Sequence, residues 1–346
     1  MIGIALLTLV PGVVGGSETY ARELLRCLPR VGEGDYRVLL PPAARDAGGE
    51  LPAVVAEGYR GNRLLAMTRA AVDPRYERLL GPVDAVHYPL TVPVPRVSVP
   101  TAVSLLDVQH LDLPQMFSRA ERTYRSVAYD RASRRADRVL VISEFVKTRA
   151  VEQLALDPDR VRVTPLGVDH DVLRPGDAPR EPFLLYPARP WPHKNHARLY
   201  EAFARVRRDR PELKLVLTGG GDFGAVPDGV EVRGHVSRDE VVSLMQRAAA
   251  LVFPSLYEGF GLPPVEAMAC GCPVACSNAA ALPEIVGDAA RLFDPHEPEE
   301  IAAAILDVLA DPAPWSQRGI LQAERYSWEA TARLTDAVYR ELSTRS

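Results

Sequence analysis

The chain has 346 residues, enough for two domains of ordinary size. Apolar side chains make up 47% of it and charged ones 25%, the balance of a globular protein with a packed core rather than a disordered or fibrous one. A net charge of −4 gives no whole-molecule attraction to nucleic acid, so nucleic acid is not an expected partner.

No apolar run approaches the length of a membrane span. The apolar start, Ile2 to Val10, has no basic flank before it and reads as a first strand rather than a signal peptide. In the first half, further strands are predicted near Arg37–Leu40, Ala85–Tyr88, Ala102–Leu106, Val139–Ile142 and Val161–Val163. Helices are predicted near Glu18–Leu28, Arg119–Ala136 and Glu144–Leu154. The stretch from Val172 to Pro182 is rich in Pro, Asp and Arg and lacks periodicity. A second series follows, with strands near Phe183–Tyr186, Lys214–Leu217, Val230–Val232, Leu251–Phe253, Val274–Cys276 and Arg291–Phe293. Its helices are expected near Ala197–Arg207, Arg238–Arg247, Pro263–Ala269 and Glu299–Leu309, and Trp328 to Leu342 is an amphipathic helix candidate. Strands alternating with helices throughout predict an α/β fold with two doubly wound, Rossmann-like domains. The expected boundaries are 1–172 for the first domain, 173–182 for a linker, 183–327 for the second domain and 328–346 for a closing helix.

Cys27, Cys270, Cys272 and Cys276 are the only cysteines. The Cys-x-Cys-x3-Cys cluster lacks the fourth ligand and the looser spacing of a metal site, so all four read as free buried thiols. That points to a reducing, hence cytoplasmic, compartment.

The most informative segment is Ser255-Leu-Tyr-Glu258-Gly-Phe-Gly-Leu-Pro-Pro-Val-Glu266. Seven residues separate two carboxylates. Pro263 and Pro264 suit the first turn of a helix, so Glu258 falls on a loop and Glu266 early in the helix. Gly259 and Gly261 permit close approach of the backbone to a ligand, and the helix N-terminus is a seat for phosphate. Such an arrangement suits a nucleotide-sugar; equally, both acids could simply complement the helix dipole. Gly15-Gly16-Ser17-Glu18 opens the first long helix and reads either as an anion-binding turn or as a capping turn with Ser17 as cap. His110, with Asp107 three residues before it, follows a strand in a loop and is either a structural or a functional imidazole. Gly219 to Gly224 satisfies G-x-G-x-x-G after a strand, but no helix follows, so it is not a nicotinamide fingerprint. Tyr59 to Leu80 carries Arg60, Arg63, Arg69, Arg75 and Arg78 beside Leu64, Leu65, Met67, Ala71 and Val72, which reads as a solvated face or as a surface for an anionic bilayer.

The Glu-x7-Glu segment resembles the signature of the retaining glycosyltransferases of family 4. The resemblance covers nearly the whole chain through Gly15-Gly16, Asp107-Val-Gln-His110, Val141-Ile-Ser-Glu144, Pro165-Leu-Gly-Val-Asp169, Arg189 to Lys194 and Pro283-Glu-Ile-Val-Gly287. It implies the GT-B architecture, two Rossmann-like domains facing a central cleft with the last helix crossing back to the first. It implies transfer of a hexosyl group from a nucleoside-diphosphate sugar to a hydroxyl acceptor, with retention and with no metal or other cofactor. By the resemblance, Arg189 and Lys194 hold the diphosphate, though Ala188 stands where the family usually has glycine. Glu266 takes the ribose, Glu258 faces the donor sugar and His110 lies close to the reacting sugar. Gly219, Gly259, Phe260, Gly261 and Leu262 line the donor side, and His235 and Val236 bracket the base. Gly15, Gly16 and Asp107 fall on the acceptor or phosphate side. Ser277 to Glu284 looks most like mannosyl- and rhamnosyl-transferring members, which favours mannose as the sugar and leaves glucose open. A nucleotide-sugar epimerase or a phosphorylase on the same architecture is the alternative. Peripheral contact with the inner face of a membrane is a further expectation; the acceptor is undetermined.

Overall fold

A computed structural model describes residues 1–13 and 15–344. The chain divides into two compact units: the first takes Met1–Gly167 and the chain from Trp328 onward, the second Val168–Ser327.

In the first unit, β1 (Ile2–Ala5), β2 (Tyr36–Leu40), β3 (Ala53–Val55), β4 (Ala85–Tyr88), β5 (Thr101–Leu105), β6 (Arg138–Val141) and β7 (Val161–Val163) form one sheet. Its order is β3-β2-β1-β4-β5-β6-β7, and every neighbouring pair is parallel. Strands covered on both faces must be apolar throughout, which is why Val38–Leu40 and Val139–Val141 are continuous buried runs. In the second unit, β8 (Glu181–Pro187), β9 (Lys214–Thr218), β10 (Val230–Gly234), β11 (Ala248–Phe253), β12 (Val274–Ser277) and β13 (Arg291–Phe293) pair in the order β10-β9-β8-β11-β12-β13, again all parallel. Each unit is the expected doubly wound α/β sheet. The strand order reverses between β1 and β4 in one and between β8 and β11 in the other, and such reversals open a crevice at the carboxyl ends of the strands.

Several elements differ from the sequence expectation. The first strand stops at Ala5; Leu6, Leu7 and Leu9 are buried together with Thr8, Leu6 N–H still donates to the Leu39 carbonyl at 2.9 Å, and Leu9 N–H turns back to the Leu6 carbonyl. Three residues of β3, partly exposed at the sheet edge, gave too short a pattern to read. The helix Pro312–Ala323 was hidden by Pro312, Pro314 and Gly319, yet its prolines sit in the first turn, where an N–H is not needed. Residues 173–182 lie within the second unit: Leu173 is buried, and the Arg180 guanidinium donates to the Ala248 carbonyl at 2.8 Å and to that of Gly271.

The helix Trp328–Ser343 belongs to the first unit and packs on the helix Gly16–Val31. Its polar side chains are tied to the sheet. Tyr36 donates to Asp336 at 2.5 Å, Thr331 donates to the Pro165 carbonyl at 2.6 Å, and Arg138 and Arg162 converge on Glu341 at 2.8 and 3.0 Å. Tyr339 and Ser104 hold the two nitrogens of fully buried His87 at 2.7 and 2.8 Å, and burial pushes that imidazole down to about 3. All four cysteines are buried and free, and burial raises the Cys27 and Cys272 thiols to about 11, away from thiolate chemistry.

Two outcomes follow for stability. Asp336→Ala strands the Tyr36 hydroxyl and should cost on the order of 1–3 kcal/mol in urea unfolding; an unchanged midpoint would contradict the role given to this contact. His87 stays neutral in the folded protein, whereas in the unfolded chain it takes up a proton below its ordinary value of 6.5. Acid therefore draws the chain towards the unfolded state between pH 6.5 and 3, by up to about 1.4 kcal/mol per pH unit from this group. Stability curves for wild type and His87→Gln should diverge in slope over that window.

Candidate active site

The second unit gathers the charged groups at its switch point. The loop after β8 carries Arg189 and Lys194, and the loop after the adjacent β11 carries Ser255 and Glu258. The Lys194 ammonium pairs with a Glu258 carboxylate oxygen, and the Ser255 hydroxyl donates to the same oxygen at 2.6 Å. The lysine and glutamate side chains are only 13% and 16% exposed, so they are largely withdrawn from water yet mutually compensated. The ammonium also stands 5.4 Å from the Phe253 ring centre. Arg189 is half-buried, its guanidinium 5.6 Å from the ring centre of half-exposed Trp191.

The backbone that sets this geometry is braced. Tyr186 donates to the Lys194 carbonyl at 2.6 Å, and Leu256 N–H donates to the His193 carbonyl at 2.7 Å, joining the two loops. Asn195, at φ 61°, donates its amide to the carbonyls of Pro254 and Pro295. Gly219 follows β9 at φ 119°, and a Cβ there would lie 3.0–3.2 Å from the Ala188–Arg189 backbone, so this loop packs against the cation-bearing one only as glycine. Gly259 and Phe260 complete the loop, and Phe260 is buried with its ring edge on Tyr326. Gly261, at φ 106°, precedes the helix Leu262–Ala269; a Cβ on it would strike Leu282 at 2.5 Å. Pro263 and Pro264 occupy the first turn.

Glu266 lies in that helix, nearly buried, with Arg238 on it at 2.7 Å. Arg238 begins the helix Arg238–Arg247, just after exposed His235 and half-buried Val236 on the loop that leaves β10. The carboxylate thus faces a fixed cation near the segment expected to bracket a base. Glu266 therefore has a side-chain partner, Arg238, in addition to the dipole of its own helix.

In the first unit, Asp107 and His110 follow β5. Asp107 accepts from Gln109 N–H at 3.0 Å and from Arg125 at 3.1 Å. His110 is buried, with Nε2 2.9 Å from Asp130 Oδ1, and its Nδ1 has no partner among the described residues. Gly15, at φ 55°, is the N-cap of the helix Gly16–Val31, with no side-chain cap; Ser17 lies inside the helix and does not serve as the cap. Among the described residues, a Cβ on Gly15 or Gly16 would meet nothing within 4 Å. A cavity of about 100 Å³ lies at the same edge of the sheet, lined by Thr8, Arg63, Asp107, Tyr124, Arg125 and Tyr129 among others.

Asp157-Pro-Asp159 and Asp169-His-Asp171 both have the Asp-x-Asp spacing that can hold a metal ion, but here each forms a turn: Asp157 accepts from Asp159 N–H at 2.9 Å and Asp169 from Asp171 N–H at 3.1 Å. Among the described residues no three His, Cys, Asp or Glu side chains converge as a metal site would require. The basic stretch forms a helix Arg63–Val72 with Met67 buried and Leu64, Leu65 and Val72 exposed, while Arg60 and Arg75 pair with Glu57 and Asp73. No helix of the described residues is long and apolar enough to cross a membrane.

Sequence reading assigned no role to Ser255, Asn195, Arg238 or Asp130. Ser255 stood inside the informative segment, three residues before Glu258, and that spacing was the available signal. Arg238 and Asp130 meet their partners only through tertiary folding, which no spacing reveals.

Two family models match consecutive halves of the chain: Glycosyltransferase Family 4 over residues 14–172, and Glycosyl transferases group 1 over residues 174–326. O-antigen chain mannosyltransferase B of Escherichia coli is 29% identical over 263 residues, which is 68% of this chain and 69% of that protein. The MMP alpha-(1->4)-mannosyltransferase of Mycolicibacterium hassiacum is 33% identical over 233 residues, 62% of this chain and 56% of that protein. The match therefore spans between about half and two thirds of the length of these curated relatives. The structure of HepE from Anabaena in complex with UDP and glucose superimposes with a TM-score of 0.77 at 18% identity, over 99% of both chains, a likeness of fold. The two parallel α/β units are those of a GT-B fold, and the chain belongs to glycosyltransferase family 4.

Proposed function

We infer that the protein is a retaining glycosyltransferase that moves a hexosyl group, mannosyl before rhamnosyl or glucosyl, from a nucleoside-diphosphate sugar to a hydroxyl acceptor. The observation that carries this reading is the meeting of Lys194, Ser255 and Glu258 at the β8/β11 switch point, with Arg189 on the same loop as Lys194. Breaking the bond from C1 to the phosphate oxygen releases a strongly anionic diphosphate. A guanidinium and an ammonium fixed beside it stabilise the charge as it develops, without a metal ion. In the unliganded protein Glu258 holds Lys194 in place; when the donor enters, the ammonium turns to the diphosphate and the carboxylate is freed for sugar hydroxyls. Glu266, oriented by Arg238, accepts from the ribose hydroxyls. The acceptor oxygen forms its bond to C1 on the face from which the phosphate leaves, and its proton passes to a phosphate oxygen. The protein supplies positioning and electrostatics rather than a covalent intermediate.

Mannosyl transfer is favoured by the names of both relatives, and a nucleotide-sugar donor by the UDP and glucose in the Anabaena structure. The acceptor hydroxyl is assigned to the first unit, at the cavity beside Asp107, and His110, which like Asp107 follows β5, is assigned to the binding of a sugar hydroxyl. The helix Arg63–Val72 opposes no apolar surface at Leu64, Leu65 and Val72, which are 64–71% exposed, and we assign it to peripheral contact with an anionic bilayer at its cytoplasmic face.

Incubation with a panel of nucleotide-sugars tests the reading. A transferase releases nucleoside diphosphate and, with acceptor, gives a product of the donor's anomeric configuration. An epimerase would change the sugar without acceptor, and a phosphorylase would need orthophosphate. Activity should persist in excess EDTA; loss restored by magnesium or manganese would refute the metal-free assignment. Arg189→Ala should lower kcat by on the order of a hundredfold, the usual cost of losing one charge stabiliser. Glu266→Ala should chiefly raise the donor KM, while Glu258→Gln and His110→Ala should chiefly lower kcat. Normal kinetics in the two glutamate variants would reduce the motif to a helix start. Co-sedimentation with liposomes should favour anionic over neutral vesicles and fall in Leu64→Ser/Leu65→Ser; equal recovery would leave a freely dissolved acceptor.

A further inference from the structure

We propose that Asp130 is a positioning residue for His110, fixing the imidazole so that Nδ1 is presented as a bare hydrogen-bond acceptor to a hydroxyl of the bound sugar. The inference rests on the reading that His110 binds a sugar hydroxyl in the proposed transfer. The two side chains are 1% and 3% exposed, and Nε2 stands 2.9 Å from Asp130 Oδ1. An ionised carboxylate only accepts, so the proton of a neutral imidazole sits on Nε2 and the lone pair on Nδ1. That Nδ1 is buried and lacks a partner among the described residues. A buried polar atom left unmatched in a folded chain calls for a ligand or water, and its chemistry here is that of an acceptor for one O–H donor.

The backbone around Asp130 is unusual in a way that serves this contact. Residues Arg119–Arg125 and Arg131–Arg135 are α-helical, but Ser126–Asp130 between them is a π-helical turn. One inserted residue turns every later side chain by about 100° relative to an unbroken α-helix. Asp130 is the last residue of that turn, and its side chain is inside, on His110, while Val127 in the same turn is 62% exposed. Phe117 closes the edge of the imidazole at 6.5 Å and 83°, and Arg125 lies over Phe117 at 4.8 Å while pairing with Asp107. The ring is therefore held by a carboxylate at one nitrogen and by an aromatic wall, which leaves Nδ1 as its one unengaged polar atom.

The test is a double-mutant cycle on nucleoside diphosphate release. Asp130→Asn should lower kcat about tenfold or more with donor KM changed less than threefold, as when the partner that orients a functional imidazole is lost. In a His110→Ala background the same substitution should cost nothing further, because Asp130 acts through the imidazole. A slow His110→Ala beside a normal Asp130→Asn would overturn this inference and leave the transferase reading intact. Equal, multiplying losses in both backgrounds would make Asp130 a structural residue and also overturn it. A His110→Ala of wild-type rate would remove the imidazole from the donor site, and the role of Asp130 with it. Should Asp130→Asn fail to fold, long-range ¹H–¹⁵N spectra of the wild type at pH 8 decide: a His110 protonated on Nε2 supports the assignment, and one protonated on Nδ1 refutes it.

Discussion

In a parallel sheet every strand delivers the chain to the same edge, and that constraint organises this protein. Each crossover must return through a helix, so loops bearing variable side chains accumulate at the carboxyl ends, while the opposite edge is left to connections. Where the strand order reverses, two neighbouring loops diverge to opposite faces of the sheet and leave a crevice. In the second unit the reversal puts the loop of Arg189 and Lys194 beside the loop of Ser255 and Glu258. Residues 64 apart in sequence then share one ion pair, with a serine hydroxyl on the same oxygen.

That pair makes chemical sense of an otherwise expensive arrangement. A lysine and a glutamate withdrawn from water contribute little net stability, because desolvation offsets most of their attraction. Removing one leaves the other uncompensated. In the proposed transfer the ammonium exchanges one anion, the Glu258 carboxylate, for another, the diphosphate, without ever being unpaired. Glu266 is likewise paired, with the half-exposed Arg238. Both carboxylates of the Glu-x7-Glu motif are thus paired with basic side chains contributed by other elements of the second unit.

Much of the fold was legible because buried parallel strands have no polar face. Val139–Val141, Leu251–Phe253 and Val274–Cys276 are apolar runs bounded by turns, and each is a strand. The same rule misled beyond Leu6, where Leu7 and Leu9 are buried without continuing the strand. The helix Pro312–Ala323 was obscured because proline marks both loops and first turns. At the site, the loop position of Glu258 and the helical position of Glu266 followed from the Pro-Pro step; the contact of Ser255 with Glu258 was not read, although only three residues separate them. The partners of Glu266 and His110 did not follow. Arg238 lies 28 residues before its carboxylate and Asp130 lies 20 after its histidine, and the latter contact depends on a π-turn that carries no compositional mark.

The proposed transfer depends on where a nucleoside diphosphate binds. A crystal structure of the protein soaked with one addresses this directly. The diphosphate should lie within about 3 Å of the Arg189 and Lys194 nitrogens, the hydrogen-bond distance for charged partners, with Lys194 turned from Glu258 and the ribose on Glu266. A diphosphate seated instead at the Gly15–Gly16 helix end of the first unit, with the Lys194–Glu258 pair undisturbed, would contradict it.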